Sequence, residues 1–199
     1  VSACFNSGSV QAQEPDGYSG ASPSYSEPVI PKGWDTQYES ELLPTTKQLI
    51  TTGLRSGEGY FSADGSQLIF QSEVPGDNPF YQIYVRDLAS GITNQVSPGI
   101  GLTTCSWIHP TEAKVMFSST HEDPDALAKQ AEEIAIRKSG VERPYGWDYD
   151  TAYDIYQANS DGSNIINLTK SLGYDAEGSY STDGSKILFA SNRDAYGRT

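Results

Sequence analysis

An internal repeat constrains the fold of this chain more than any other feature of its sequence. The segment Glu58–Ser72 matches Glu177–Ser191 at a constant offset of 119 residues, without a gap and with identical or conservative residues at most positions. A third, degenerate copy runs from Cys105 to Ser119, 47 residues after the first, and has lost the Asp-Gly pair. Self-similarity at a fixed spacing is typical of folds built from repeated supersecondary units.

The second half of each unit repeats as well, since Gln82–Ser97 aligns with Asp154–Thr169 at an offset of 72 residues. The two well-matched units begin with a polar, aromatic strand that ends in Ser-x-Asp-Gly, where Asp caps a turn and Gly takes a positive φ. An apolar run, dense enough to be buried on both faces, and two further short strands follow. Four antiparallel strands about every 45 residues predict the blades of an all-β fold, a β-propeller.

The residues of these units resemble a known repeat. Phe61–Phe70, Tyr180–Phe189 and Asp154–Tyr156 look like the WD40-like (PD40) repeat of the TolB family, and the resemblance covers roughly residues 45–194. It implies a periplasmic or surface propeller that docks other proteins or forms the non-catalytic part of a larger chain. The resemblance assigns no catalytic residue to this chain.

The repeats do not complete a ring. Lys47–Thr51 matches the fourth strand of a unit, so it predicts an N-terminal strand that closes the last blade. The third unit ends at Asn192–Asp194 after two strands. The chain therefore provides about two and a half four-stranded blades over residues 45–199, where a ring needs at least four. We expect a partial propeller cut from a longer protein; assembly with other material is the alternative.

An insertion at residues 121–151 separates the second and third strands of the middle unit. Asp123 and Pro124 predict the N-cap and first turn of a helix that ends at Gly140. Four apolar residues recur at helical spacing and predict one apolar stripe: Leu127, Ala131, Ile134 and Ala135.

An aromatic, acidic loop follows this helix, and loops on a rigid scaffold are where function collects. Its candidates for partner binding are Tyr145, Trp147 and Tyr149. Packing of these rings, which would pin the insertion to its blade, is the alternative.

The N-terminal segment has the composition of a tether. Val1-Ser2-Ala3-Cys4 resembles the lipobox of bacterial lipoproteins, which predicts lipidation of Cys4; the alternative is a stray cysteine in a tail. Residues 1–40 are polar and lack any period, so we expect a flexible segment. Cys105 is either a disulfide partner of Cys4 or a small buried hydrophobe.

Charge and motif content disfavour several function classes. With 13 Lys and Arg against 26 Asp and Glu, the net charge of −13 repels nucleic acids and anionic membranes. No apolar run approaches the roughly 20 residues of a membrane helix. Two histidines exclude a three-histidine metal site, and no nucleophile elbow, phosphate loop or paired-cysteine motif occurs. The sequence predicts no catalytic residue, metal or cofactor in this chain.

These observations favour a non-catalytic, protein-binding or scaffolding propeller of a bacterial cell envelope protein. Its place would be the periplasm, the outer membrane or the cell surface. Other envelope proteins would be its partners, and only a lipid at Cys4 would contact the membrane. Two alternatives stay open: the substrate-gating part of a larger peptidase or hydrolase, and a structural subunit of a large membrane-associated complex.

Overall fold

A computed structural model describes residues 41–141 and 149–196. The chain divides into two compact units, Val1–Leu49 and Ile50–Thr199, and all the strands named below belong to the second.

The strands form consecutive antiparallel sheets in the order of the chain, one for each repeat unit. Blade 1 contains β1 (Arg55–Phe61), β2 (Gln67–Glu73), β3 (Gln82–Asp87) and β4 (Thr93–Gln95). Blade 2 contains β5 (Thr103–Ile108), β6 (Lys114–Ser119), β7 (Asp154–Asn159) and β8 (Ile166–Asn167). Blade 3 contains β9 (Asp175–Tyr180) and β10 (Ile187–Ser191), and a short 3-10 helix, Arg193–Tyr196, follows. The prediction of four-stranded propeller blades, the last one partial, is confirmed.

The apolar second strands of blades 1 and 2 build the core between these blades, whereas β10 of blade 3 is largely exposed. Ile69 of β2 and Phe117 of β6 are fully buried, as a run with apolar residues on both faces predicts. One cluster joins blades 1 and 2, and it consists of Ile69, Ile83, Val85, Val96, Val115, Phe117, Tyr156 and Ala158. A smaller cluster joins blades 2 and 3 through Met116, Ile155 and Tyr180. Successive blades therefore pack face to face, and this packing fixes the relative positions of their first strands.

The predicted strand at Lys47–Thr51 does not form, since these residues lie outside any strand. A closing fourth strand pairs with the third strand of the last blade. In the described part of the chain, blade 3 consists of β9 and β10, so this segment has no third strand to pair with. The segment resembles a fourth strand in sequence, but the described residues contain no third strand with which it could pair.

The predicted helix exists as α1 (Ala126–Ser139), but it begins two residues later than expected. Its N-cap is Asp125, because Asp123 belongs to a separate turn in which its carboxylate accepts the Asp125 N–H at 2.9 Å. Pro124 accordingly precedes the helix instead of standing in its first turn. Gly140 ends the helix as predicted, with a left-handed φ of 69°.

Helix α1 packs through a polar face, so the apolar stripe is not its contact surface. Leu127 is 63% exposed, Ala131 and Ala135 are exposed as well and Ile134 is half-buried, whereas Ala126 and Gln130 are buried. Gln130 accepts the Gly101 N–H at 2.8 Å. The surface beneath the helix consists of loop backbone and a buried carboxylate, and buried polar groups of this kind need hydrogen-bonding partners. Side chains that donate and accept therefore face it.

Two ion-pair clusters hold the insertion in place. Arg137 near the end of α1 donates to the buried Glu73 of blade 1 at 2.5 Å. Lys129 donates to Asp123 at 2.6 Å and to Asp150 at 2.5 Å, so it joins the two ends of the insertion. The insertion emerges from blade 2 and is anchored on blade 1.

Candidate functional site

The first strands of the three blades share a backbone irregularity. β1, β5 and β9 each contain a β-bulge, where the pairing with the second strand shifts register. The bulged residues Glu58, Cys105 and Glu177 occupy equivalent repeat positions, and they have φ values of 43°, 52° and 59°. Left-handed backbone costs a residue with a side chain about 1–2 kcal/mol. The same strained conformation recurs in every described blade, so it is a property of the repeat.

These bulges line a cavity of about 370 Å³. Each blade contributes its bulged residue and the residue two positions later: Glu58 and Tyr60 from β1, Cys105 and Trp107 from β5, Glu177 and Ser179 from β9, with Gly178 beside them. Residues two positions apart on a strand share a face, and the bulge changes the local direction of the side chains beside it. We call this recess the inner-strand cavity.

Two aromatic rings form one wall of the inner-strand cavity. The ring centroids of Tyr60 and Trp107 lie 4.4 Å apart, with the planes tilted by 40°. The pKa of the Tyr60 hydroxyl is raised, first by burial and then by the negative charge of Glu58. The phenol is therefore neutral at physiological pH and offers both an apolar ring and a hydrogen-bonding tip.

The cysteine in this cavity is not an activated nucleophile. Burial raises the pKa of the Cys105 thiol to about 12, the charge of Glu58 adds to the shift, and the hydrogen bond between Cys105 and Thr104 opposes it. A thiol with such a pKa remains protonated at neutral pH, whereas nucleophilic cysteines react as thiolates. Cys105 is 8% exposed and fits the expectation of a small buried side chain.

A second recess of about 440 Å³ lies between the first turns of blades 1 and 2 and is lined by Asp64, His109 and Glu112 among others. Its acidic groups are already occupied. Asp64 accepts hydrogen bonds from Ser62 and Ser66 of its own turn, and the first of these bonds is the main cause that lowers the Asp64 pKa to about 2. The turn satisfies its own carboxylate, so this recess is the weaker candidate.

Of the residues predicted from sequence, Cys4, Tyr145 and Trp147 lie outside the described residues. Tyr149 is half exposed, its ring stacks on Tyr174 at a centroid distance of 5.4 Å, and its hydroxyl accepts a hydrogen bond from Asn192 at 2.6 Å. These contacts are those of the packing alternative. A partner-binding role for Tyr149 stays a prediction.

Sequence reasoning did not identify Tyr60 or Trp107 as site residues. The available signal was the offset of 47 residues, which aligns Glu58 with Cys105 and Tyr60 with Trp107. What it could not reveal was the bulge that brings these positions into one recess.

The described residues contain neither a metal-binding cluster nor a membrane-spanning helix. Across residues 41–141 and 149–196, no three or more His, Cys, Asp or Glu side chains are grouped so as to hold a metal ion. None of the helices in that part of the chain is long and apolar enough to cross a membrane.

Comparison with known proteins identifies relatives of the repeat region. No family model matches the chain. A curated TolB homolog from Chlorobium luteolum is 27% identical over 149 residues, which cover 68% of this chain and 34% of the relative. The chain thus spans about a third of the length of this relative.

Solved structures also match. A TolB structure from Agrobacterium tumefaciens superposes with a TM-score of 0.51 at 19% identity, over 72% of this chain and 40% of that one. A TolB structure from Acinetobacter baumannii gives a TM-score of 0.40 at 15% identity, over 73% and 34%. The resemblance to TolB-type repeats and the propeller fold class are confirmed.

Proposed function

We propose that this TolB-like propeller segment is a non-catalytic, partner-binding module of a bacterial envelope protein, and that its partner docks at the inner-strand cavity. The observation that carries the proposal is the convergence of three equivalent bulges on one recess. The curated relative, a TolB homolog, supports the envelope assignment.

Strain at the cavity supports a binding role. Left-handed residues persist only where the surrounding structure enforces them, and they cluster at ligand sites. Glu58 and Cys105 are held on strands that pair with the buried strands β2 and β6, and Glu177 is held on a strand that pairs with β10. A surface that is already in its binding geometry loses less entropy when a partner docks.

The chemistry of the cavity supports binding over catalysis. Aromatic rings and carboxylates recognise ligands, whereas a nucleophile needs an adjacent base or a lowered pKa. The one thiol in the lining has a raised pKa of about 12. Proteins of the periplasm, the outer membrane or the cell surface are the proposed partners.

Site-specific photo-crosslinking in the producing bacterium tests the docking site. With benzoylphenylalanine in place of Tyr60, which is 38% exposed in the cavity, we expect a covalent adduct with one partner protein. The matched control carries the same group in place of Leu127, which is 63% exposed on α1, and should form no adduct. Adducts from position 127 alone, or from neither position, would contradict docking at the cavity.

We further propose that residues 1–40 form a tether lipidated at Cys4. The lipobox-like residues Val1-Ser2-Ala3-Cys4 support this assignment. Two acyl chains or more anchor a protein stably to a bilayer. The native protein should therefore partition into the detergent phase and the Cys4→Ser variant into the aqueous phase. A natively produced N-terminal peptide without an acyl mass at Cys4 would rule the lipid out.

A further inference from the structure

We propose that the inner-strand cavity binds a cationic side chain, a lysine ammonium or an arginine guanidinium, which the docking partner inserts between the aromatic wall and the carboxylates. This inference rests on the proposed function, since it names the group through which the partner is recognised.

The lining carries negative charge that nothing in the described chain neutralises. Its residues include the carboxylates of Glu58 and Glu177 and no Lys, Arg or His. Neither carboxylate forms an ion pair within residues 41–141 and 149–196, whereas the buried acids of the blades do: Glu73 pairs with Arg55 and Arg137, and Asp175 pairs with Arg193. The two carboxylates come from blades 1 and 3, and both residues line the same cavity.

The aromatic pair supplies a second, independent attraction. A cation within about 6 Å of a ring centroid is attracted by the ring, most strongly by Trp. Tyr60 and Trp107 border the same cavity as the carboxylates. Recognition of organic ammonium groups by aromatic rings is a known use of this geometry.

An organic cation suits the cavity better than a metal ion. Hard cations such as Ca²⁺ take six to eight oxygen ligands at close range. The same lining contains Cys105, whose thiol stays protonated because burial raises its pKa to about 12. The face of an aromatic ring is not a ligand for a strongly hydrated metal ion. It packs against the methylene groups of Lys or Arg and attracts their positive charge.

The test uses the full 199-residue chain and follows the indole N–H signal of Trp107 by NMR. Trp107→Phe identifies that signal. The probes are the blocked amino acids N-acetyl-lysine methylamide and N-acetyl-arginine methylamide, with N-acetyl-norleucine methylamide as the uncharged probe of similar shape. At least one cationic probe should shift the signal saturably, with an affinity at least ten times that of norleucine. Equal shifts from norleucine, or no shift from either cation, would overturn the inference.

A charge-matched pair of variants separates the cavity from general attraction to an acidic protein. The double variant Glu58→Gln with Glu177→Gln should lower the affinity for the cationic probe about tenfold. Each single variant should lower it about threefold. Glu41→Gln with Glu132→Gln removes the same two charges from exposed positions and should change the affinity less than twofold. Equal weakening by both double variants would assign the binding to net charge and overturn the cavity site.

The outcomes distinguish this inference from the proposed function. If the partner crosslinks at position 60 but no cationic probe binds, docking at the cavity is supported and recognition through a cationic side chain is refuted. Probe binding that Glu58→Gln weakens, without any partner adduct, would support the cation site and refute docking there. Glutamine keeps the shape of Glu at these two exposed positions, and the dispersion of the NMR spectrum reports whether each variant folds.

Discussion

Replacing Glu73 with Ala is expected to lower the free energy of unfolding by about 3 kcal/mol. The Glu73 side chain is 3% exposed, and its two oxygens accept from Arg55 at 2.7 Å and from Arg137 at 2.5 Å. Its removal leaves a void at the end of β2 and two guanidinium groups without their anion. It also releases the C-terminal end of α1 from blade 1, because Arg137 loses its link to that blade.

Urea denaturation followed by circular dichroism measures this loss. The matched control is Glu112→Ala, which removes an acid paired with Lys114 at 2.6 Å on the surface and should leave the urea midpoint unchanged. Amide hydrogen exchange supplies a local readout, since the amides of α1 should lose protection in Glu73→Ala more than those of β6. If the two variants have the same midpoint, the Arg55–Glu73–Arg137 cluster does not anchor the insertion.

The blades were predictable because their information is local. Asp-Gly turns, apolar second strands and alternating third strands each specify a short structure within one unit, and the repeat shows that the units are equivalent. Ile69 and Phe117 are fully buried as expected. The prediction of a fourth strand at Lys47–Thr51 was wrong because such a strand forms only with a pairing partner far away in the fold.

The face of α1 was not predictable from periodicity. Its apolar residues predicted a stripe, but a hydrophobic pattern carries no information about the surface that the helix meets. Here that surface offers the Gly101 N–H and the Glu73 carboxylate, so Gln130 and Arg137 face it and Leu127 faces solvent. A polar contact surface selects polar side chains, because an unpaired buried group costs about 1–3 kcal/mol.

The inner-strand cavity was not predictable from the sequence either, because it depends on backbone conformation and on packing between blades. Glycine marks many left-handed positions in a sequence, but Glu58, Cys105 and Glu177 adopt that conformation with ordinary side chains. Only the strand register reveals the bulges, and only the packing of blades brings three of them together. The repeat alignment identifies equivalent residues, and the structure shows which equivalent residues meet.

The second large effect concerns the Asp-Gly turns, where Gly184→Ala is expected to cost about 3 kcal/mol and Gly65→Ala about 1 kcal/mol. The two glycines are repeat equivalents with φ values of +74° and +70°, so an alanine side chain meets the same backbone strain at both. A Cβ at Gly184 would lie 2.3 Å from His109 Cε1, whereas a Cβ at Gly65 has nothing within 4 Å. The difference between the variants therefore isolates the contact with His109.

The His109 side chain cannot easily move away from the added Cβ, because its surroundings hold the ring in place. It is 7% exposed, its ring lies 4.7 Å from that of Tyr180, and its Nδ1 accepts the Glu112 N–H at 3.0 Å. Overpacking a fixed ring costs about 1–3 kcal/mol in addition to the backbone strain. A double-mutant cycle with His109→Ala should recover most of the difference, since the smaller side chain makes room for the added methyl group. Equal urea midpoints for Gly184→Ala and Gly65→Ala would show that blade 3 does not pack against blade 2 through His109.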